Sequence, residues 1–130
     1  MIVVDSSFLV AALTDAGAGG KACADRLRVE TLAAPDVIGL EAVSAIRGLL
    51  RGKKITEAEA DRAVRVVARM PIRRAPLTAL LERSWELRDN CTPYDAAYIA
   101  LAEALDVPLV TAGSKLKGVP KTRCVVEVVS

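Results

Sequence analysis

The sequence predicts an α/β fold in which helices cover both faces of a mostly parallel sheet. Short apolar segments of strand length alternate with longer segments of helix length, and this alternation is typical of parallel sheets. The chain has 130 residues, of which 52% are hydrophobic, and this is enough for one domain with a buried core. It contains no internal repeat, low-complexity tract or linker, so we interpret residues 1–130 as a single domain.

Local signals in the sequence place the elements in order. Asp5 or Ser6 can cap the first helix and Asp36 the third, because a side-chain oxygen there accepts a hydrogen bond from a free backbone N–H. Thr56 and Glu59 have the spacing of a capping box. The predicted strands are 1–4, 31–35, 107–111 and 122–129, with an extended segment at 70–76, and the predicted helices are 5–13, 19–30, 37–52, 57–70, 77–90 and 92–106.

The composition excludes several kinds of functional site. The chain has no histidine, so imidazole serves neither as a base nor as a metal ligand. It has only one Trp, two Tyr and one Phe. This argues against a sheet whose aromatic rings stack on nucleobases. The net charge of +2 does not by itself indicate a polyanionic partner, although a local basic patch remains compatible with one.

The cysteines and the amino terminus indicate a cytoplasmic protein. Cys23, Cys91 and Cys124 lack the short spacing of a zinc site or a redox motif, so we expect isolated, buried or half-buried thiols in a reducing compartment. The first residues lack a basic region, and Asp5 interrupts their apolar run. We therefore expect neither a signal peptide nor a membrane span there.

Three carboxylates lie where the pattern predicts a sheet edge or an apolar helix face. Asp5 follows the first strand, at the edge where ligands bind in α/β folds. Glu41 lies beside an apolar stripe of its helix, and Asp95 follows the predicted cap Thr92 by three residues. Clustered carboxylates without histidine suit Mg²⁺ or Mn²⁺, and such ions favour phosphodiester hydrolysis.

Each of these acids also has a purely structural interpretation, which the sequence leaves open. Asp5 can be a helix N-cap. Glu41 can form a salt bridge with Arg47 at the exposed edge of its stripe. Asp95 can be the acid of a capping box and can interact favourably with the helix dipole.

With Asp5, Glu41 and Asp95 in place, the chain resembles the PIN-domain ribonuclease toxins of the VapC family. The resemblance rests on MIVVDSSFLVAAL at the start, APDVIGLEAVSAIRGLLRGKKIT in the middle and TPYDAAYIALAEALDVPLVTAGSKLKG near the end. It implies a three-layer α/β/α fold and Mg²⁺- or Mn²⁺-dependent cleavage of RNA by the three acids. Asp5 and Asp95 would be the main metal ligands, and Glu41 would hold or polarise a water.

The same resemblance implies partners and further contacts. It implies homodimers and a VapB-type antitoxin whose carboxyl-terminal tail enters a groove near the site. The helices within 48–70 would line this groove, although ordinary core is the favoured interpretation of their apolar stripe. That stripe comprises Ala63, Val64, Val67 and Ala68. Ser7 stands where the family often has a hydroxyl, and Arg47, Lys115 and Lys117 are either phosphate contacts or solvated surface.

The chain departs from the family pattern after the segment LVTA. A fourth aspartate usually follows that strand, whereas this chain has Gly113 and then Ser114. Thr111 and Ser114 keep oxygens at this edge but carry no charge, so we expect a weaker metal site. Two interpretations remain. The chain is a ribonuclease of reduced activity, or it is a PIN-fold binding protein that retains antitoxin or RNA binding without useful catalysis.

Overall fold

The computed structural model describes residues 1–129 and contains a five-stranded parallel sheet with helices packed around it. The strands are β1 (Ile2–Val4), β2 (Leu32–Pro35), β3 (Ile72–Ala75), β4 (Leu109–Thr111) and β5 (Val126–Val128). The helices are α1 (Ser6–Thr14), α2 (Ala18–Arg28), α3 (Ile38–Arg51), α4 (Glu57–Arg69), α5 (Leu81–Glu86) and α6 (Pro93–Leu105), with 3-10 turns at Leu77–Leu80 and Leu116–Gly118. The predicted α/β class with a central parallel sheet is confirmed.

The strand order β3-β2-β1-β4-β5 places a topological switch point beside β1. β2 and β3 lie on one side of β1, and the chain then crosses to the other side, where β4 and β5 lie. Val4 pairs with Val110 in the parallel register, and the Asp5 N–H donates to the Val110 carbonyl over 3.3 Å. The residues that follow β1 and β4 therefore meet at the carboxyl edge, where open α/β sheets bind ligands.

Two apolar clusters hold the helices in place. The larger cluster surrounds the sheet and includes Val3, Phe8 and Leu109. The smaller cluster lies between α1, α3 and α4 and contains Ala63 and Val67. Half of the stripe on α4 thus belongs to the core, because these two side chains are buried there, whereas Val64 is half-buried and Ala68 is exposed.

Most of the predicted helix starts are confirmed, but the predicted cap of α3 is wrong. The Thr56 hydroxyl accepts from the Glu59 N–H over 3.1 Å, and the Glu59 carboxylate accepts from the Thr56 N–H over 3.2 Å. Asp36 does not cap α3, which begins at Ile38 without a side-chain cap. Instead the Asp36 N–H donates to the Ala75 carbonyl over 2.9 Å. Asp36 therefore continues the pairing of β2 with β3.

Two segments near the carboxyl terminus are shorter than predicted. Residues 77–90 form a 3-10 turn followed by the six-residue α5, and not one continuous helix. Within 122–129 only Val126–Val128 joins the sheet. The Arg123 N–H donates to the Glu103 carboxylate of α6 over 2.7 Å, so this part of the chain is bound to a helix. Conversely, the extended segment at 70–76 contains an edge strand, β3, which pairs with β2.

The thiols are as the sequence predicts. All three cysteines are free; Cys23 is buried, and Cys91 and Cys124 are half-buried. Among residues 1–129 the longest apolar helix is too short to cross a membrane. Ser130, the last residue of the predicted domain, lies outside the described residues.

Candidate active site at the carboxyl edge of the sheet

Asp5 lies at the end of β1 and caps α1 with one of its two carboxylate oxygens. Its side-chain Oδ1 accepts from the Phe8 N–H over 3.0 Å and from the Ser7 hydroxyl over 2.8 Å. The residue is only 9% exposed. The N-cap interpretation of Asp5 is therefore confirmed, and the cap fixes the carboxylate at the switch point of the sheet.

The second oxygen of Asp5 faces Thr111, the last residue of β4. The Thr111 hydroxyl donates to Asp5 Oδ2 over 2.6 Å, and Thr111 is 1% exposed. The hydroxyl oxygens of Ser7 and Thr111 are 3.1 Å apart. Backbone N–H groups of the following turn complete the network, because Ala112 donates to Ser7 and Gly113 to Thr111, each over 3.2 Å. Side chains from two neighbouring strand ends thus hold one carboxylate in a single orientation.

Glu41 on α3 is bound by Tyr98 on α6. The Tyr98 hydroxyl donates to Glu41 Oε1 over 2.5 Å, and Tyr98 is 1% exposed. Burial raises the pKa of Tyr98, and the hydrogen bond to Glu41 raises it further, so the phenol stays protonated and remains a donor. The predicted alternative of a Glu41–Arg47 salt bridge is not formed within residues 1–129.

Asp95 on α6 forms an ion pair with Lys115, which lies in the turn after β4. Lys115 Nζ is 2.9 Å from Asp95 Oδ2. The hydrogen bond to Asp95 raises the pKa of Lys115, and the charges of Asp5 and Glu41 add to this effect. Lys115 therefore places one ammonium group, from the turn after β4, directly against the Asp95 carboxylate.

The capping role expected of Asp95 is only half present. The Asp95 N–H donates to the Thr92 hydroxyl over 3.2 Å, so Thr92 caps α6 as predicted. The Asp95 carboxylate is turned toward Lys115 and makes no return bond to the Thr92 N–H in the described part of the chain. The aspartate side chain is thus available at the edge of the sheet and is not used by the cap.

The oxygen donors of this edge suit Mg²⁺ or Mn²⁺ chemically. Carboxylates and hydroxyls are hard oxygen ligands, and the chain has no histidine whose imidazole would favour a softer ion. Across residues 1–129, however, no three Asp, Glu or Cys side chains converge closely enough to hold an ion together. A divalent ion would therefore be held by no more than two of these carboxylates, with waters completing its coordination shell.

Gly113 occupies a position that accepts a side chain. A Cβ built on Gly113 meets no atom within 4 Å, and its backbone φ is not positive. The glycine is therefore not required by a turn or by close packing, and an aspartate fits here without steric conflict. Ser114, the next residue, is exposed.

A groove of about 760 Å³ opens beside Ser7, between α1, α3 and the segment that leads into α4. Its surface is mostly apolar, which suits a hydrophobic segment of a partner chain. The apolar side chains that line it are Val10, Ala11, Ala16, Ala45, Leu49 and Ile55. The structure therefore locates a groove near the site, but the groove is lined by α1 and α3 more than by the predicted stripe on α4.

The sequence reasoning missed two contacts of this site. The first is the bond of Tyr98 to Glu41, which joins two residues 57 apart in sequence. A signal existed, since a tyrosine on an otherwise alanine-rich, buried helix face needs a partner for its hydroxyl. Lys115 was interpreted as a phosphate contact or as surface, and its pairing with Asp95 had no local signal.

Comparison with known proteins identifies the family of this chain. A family model for the PIN domain matches residues 2–122. Ribonuclease VapC9 of Mycobacterium tuberculosis strain H37Rv is 38% identical over 129 residues, which cover 99% of this chain and 98% of VapC9. The match thus extends over all of the elements described above.

Solved structures share the fold. The Mycobacterium tuberculosis VapC20, described as a sarcin-ricin loop cleaving toxin, has a TM-score of 0.70 at 18% identity and covers 95% of this chain and 99% of its own. A chain of VapBC2 from Rickettsia felis, solved bound to a DNA fragment from the promoter, has a TM-score of 0.68 at 16% identity over the whole of both chains. Because the PIN-domain model matches residues 2–122 and VapC9 is 38% identical over nearly the whole chain, the chain belongs to the PIN-domain ribonucleases of the VapC family.

Proposed function

We propose that this chain is a metal-dependent endoribonuclease and the toxin of a type II toxin–antitoxin pair. The observation that carries the proposal is the polar network at the switch point of the sheet, where Ser7 and Thr111 hold the Asp5 carboxylate and Lys115, in the turn after β4, pairs with Asp95. The relatives named VapC ribonucleases support RNA as the substrate.

The proposed reaction assigns a separate role to each acid. Asp5 and Asp95 would hold Mg²⁺ or Mn²⁺, and Glu41 would orient a water. The ion would supply a water of lowered pKa and a positive charge beside the phosphate. Ser7 and Thr111 donate to Asp5 and so keep its carboxylate correctly oriented.

Basic side chains near this edge are available for RNA phosphates. Lys115 and Lys117 lie in the exposed turn after β4, and Arg47 is exposed on α3. Contacts of this kind fix the position of the RNA backbone without reading its sequence. We therefore assign phosphate binding to these three residues, with Lys115 also paired to Asp95 in the structure.

The test is cleavage of a mixed cellular RNA pool by purified protein free of antitoxin. Discrete products are expected with Mn²⁺ or Mg²⁺ and none with EDTA. Asp5→Asn should abolish them, because the substitution removes the charge held by Ser7 and Thr111. The matched control is Asp61→Asn on the exposed surface of α4, which should cleave like the wild type. Equal cleavage by wild type and Asp5→Asn would refute the proposed site.

Gly113 favours a second candidate function. A PIN-fold protein without the usual fourth acid can retain antitoxin or RNA binding while its catalysis is too weak to matter. Gly113→Asp distinguishes the two, because the position accepts a side chain. Cleavage that appears only in Gly113→Asp would support the binding protein, whereas cleavage by the wild type would support the ribonuclease.

We also propose the antitoxin partner and its docking site. The apolar groove beside Ser7 is large enough for several side chains of a partner segment, and Ser7 on its lining donates to Asp5. The solved VapBC2 assembly, whose toxin chain shares this fold, supports an antitoxin partner for this chain. A peptide in this groove would obstruct access to Asp5.

A homodimer is the assembly we propose. Leu77, Leu81, Trp85 and Tyr94 are large apolar side chains exposed around α5 and the start of α6. Leu77, Leu81 and Tyr94 border one cleft, and Trp85 lies on the same short helix as Leu81; we call these four side chains the α5 patch. A patch of this kind marks an interface on a small protein, and a twofold contact buries it against its own copy.

The remaining expectations are location and domain organisation. We propose a cytoplasmic protein, because its three thiols are free, as a reducing compartment keeps them. We propose that residues 1–130 act as one domain, because a single sheet links the elements of residues 1–129.

A further inference from the structure

We propose that the Lys115 ammonium is a resident cation of the site, which competes with a divalent ion for Asp95 and thereby weakens metal binding. The inference rests on the proposed function, since it concerns the same carboxylates. It assigns to Lys115 an autoinhibitory contact with Asp95, in addition to the proposed binding of RNA phosphates.

The geometry places Lys115 where a bound cation is needed. Its Nζ is 2.9 Å from Asp95 Oδ2, and the Asp95 side chain is 15% exposed whereas that of Lys115 is 75% exposed. The lysine side chain therefore extends from solvent to a carboxylate that is largely buried. Asp5 and Glu41 add their attraction, so the ammonium is drawn to the whole acidic edge.

The turn that carries Lys115 is anchored on both sides. Leu116 is buried, and the Lys117 N–H donates to the Ser114 carbonyl over 3.2 Å. On the other side, the Gly113 N–H is bound to Thr111. The backbone of this turn thus holds the base of the Lys115 side chain close to Asp95 without constraining the ammonium group itself.

The ion pair is weak enough to exchange. Ion pairs with a largely exposed partner are screened by water and salt, so they contribute little to folding. A divalent ion carries twice the charge of an ammonium and coordinates the carboxylate directly, so it displaces Lys115 at sufficient concentration. The lysine then raises the metal concentration that the site requires.

Metal affinity measured without RNA tests the inference. Mn²⁺ is titrated into the purified full chain at fixed ionic strength, and free Mn²⁺ is counted by electron paramagnetic resonance. Lys115→Gln should bind Mn²⁺ about two- to fivefold more tightly than the wild type, the range expected for one exposed ion pair. Lys121→Gln, at an exposed lysine in the turn before β5, is the matched control and should stay close to the wild type.

A double-mutant cycle with Asp95→Asn separates competition from a general effect of charge. The tighter binding caused by Lys115→Gln should disappear when Asp95 is already neutral. Persistence of that gain in the Asp95→Asn background would overturn the inference, as would an equal gain in Lys121→Gln. Weaker or unchanged binding in Lys115→Gln, or no measurable Mn²⁺ binding in any form, would overturn it as well.

The same experiment separates the inference from the proposed function. Tighter Mn²⁺ binding by Lys115→Gln in a protein that cleaves no RNA would uphold the competition and refute the ribonuclease. RNA cleavage by a wild type whose Mn²⁺ affinity does not depend on Lys115 would uphold the ribonuclease and refute the competition.

Discussion

At the scale of single residues, Asp5 shows how one side chain serves folding and the proposed site together. Oδ1 caps α1 through the Phe8 N–H, while Oδ2 accepts from Thr111 on a neighbouring strand. The cap is local and could be predicted from the position of Asp5 after β1. The bond to Thr111 joins residues 106 apart in sequence, so it depends on the pairing of β1 with β4.

Thr111→Val tests the buried bond to Asp5. The substitution keeps the shape of the side chain but removes the hydroxyl donor, so Asp5 Oδ2 stays buried without the hydrogen bond from residue 111. We expect a loss of about 1–3 kcal/mol in the free energy of unfolding, the usual penalty for such a group, and a lower rate of RNA cleavage. Urea denaturation and the RNA assay measure the two effects. The control is Thr78→Val at an exposed position, and equal stability of the two variants would contradict the prediction.

Tyr98→Phe tests the orientation of Glu41. The phenyl ring preserves the packing, while Glu41 loses its 2.5 Å hydrogen bond. We expect RNA cleavage to fall about tenfold, which corresponds to about 1.4 kcal/mol of lost transition-state stabilisation, with the fold retained by circular dichroism. Tyr94→Phe, at an exposed tyrosine of the same helix, should cleave at the wild-type rate. Wild-type cleavage by Tyr98→Phe would show that the bond is only structural.

At the scale of elements, α6 is the helix on which the site and the carboxyl-terminal segment both depend. Near its start it carries Asp95 and Tyr98, and near its end Glu103 binds Arg83 of α5 through two hydrogen bonds of 2.7 and 3.1 Å. Glu103 also accepts from the Arg123 N–H. The charge of Glu103 therefore holds α5 and the approach to β5 against α6.

The pKa of Glu103 makes this link dependent on pH. Burial alone would raise this pKa, but the hydrogen bonds from Arg83 and the Arg123 N–H outweigh burial and lower it below its ordinary value of 4.5. A carboxyl whose pKa is lower in the folded chain stabilises the fold above the unfolded pKa. That stabilisation is lost as the pH falls from about 4.5 through the lower folded value.

Glu103→Gln should therefore destabilise the protein at neutral pH and matter less in acid. We expect a loss of about 1–3 kcal/mol at pH 7, typical of hydrogen bonds to a charged group, and a smaller difference from wild type as the pH falls below about 4.5. Urea denaturation over a pH series measures both. Glu82→Gln on the exposed side of α5 serves as the control. A difference that is constant with pH would show that the ionised carboxylate is not the cause.

At the scale of the whole molecule, the distribution of apolar surface predicts how copies associate. The sheet-centred cluster is covered by helices, whereas the α5 patch presents Leu81 and Trp85 to solvent. Val29 is also an exposed apolar residue, but it follows α2 and does not line the cleft that Leu77, Leu81 and Tyr94 border. A single exposed valine needs no partner, while a continuous patch does.

Leu81→Arg should shift the protein from dimer to monomer. An arginine there places a charge in the centre of the proposed contact in both copies, which a twofold interface cannot pair. Multi-angle light scattering after size-exclusion chromatography gives the mass directly. Val29→Arg adds the same charge elsewhere and should leave the mass unchanged. A wild type that is monomeric at high concentration would refute the proposed dimer.

The sequence alone determined the fold class and most of the helix starts. These features follow from local patterns, namely the alternation of strand and helix segments, the capping box at Thr56 and the Thr–Pro start of α6. The Asp36 cap was wrong because pairing of β2 with β3 used the backbone of that residue instead. Propensity at a helix end is a weak preference, and a strand neighbour can override it.

Tertiary structure decided how the acids are held. The bonds Thr111–Asp5 and Tyr98–Glu41 and the ion pair Lys115–Asp95 each join residues that are distant in sequence or that lie on different elements. Their partners are selected by strand order and helix packing, which bring the ends of β1 and β4 and the sides of α3 and α6 together. A periodic pattern identifies the face on which a side chain lies, whereas the atom it meets there depends on the neighbouring element.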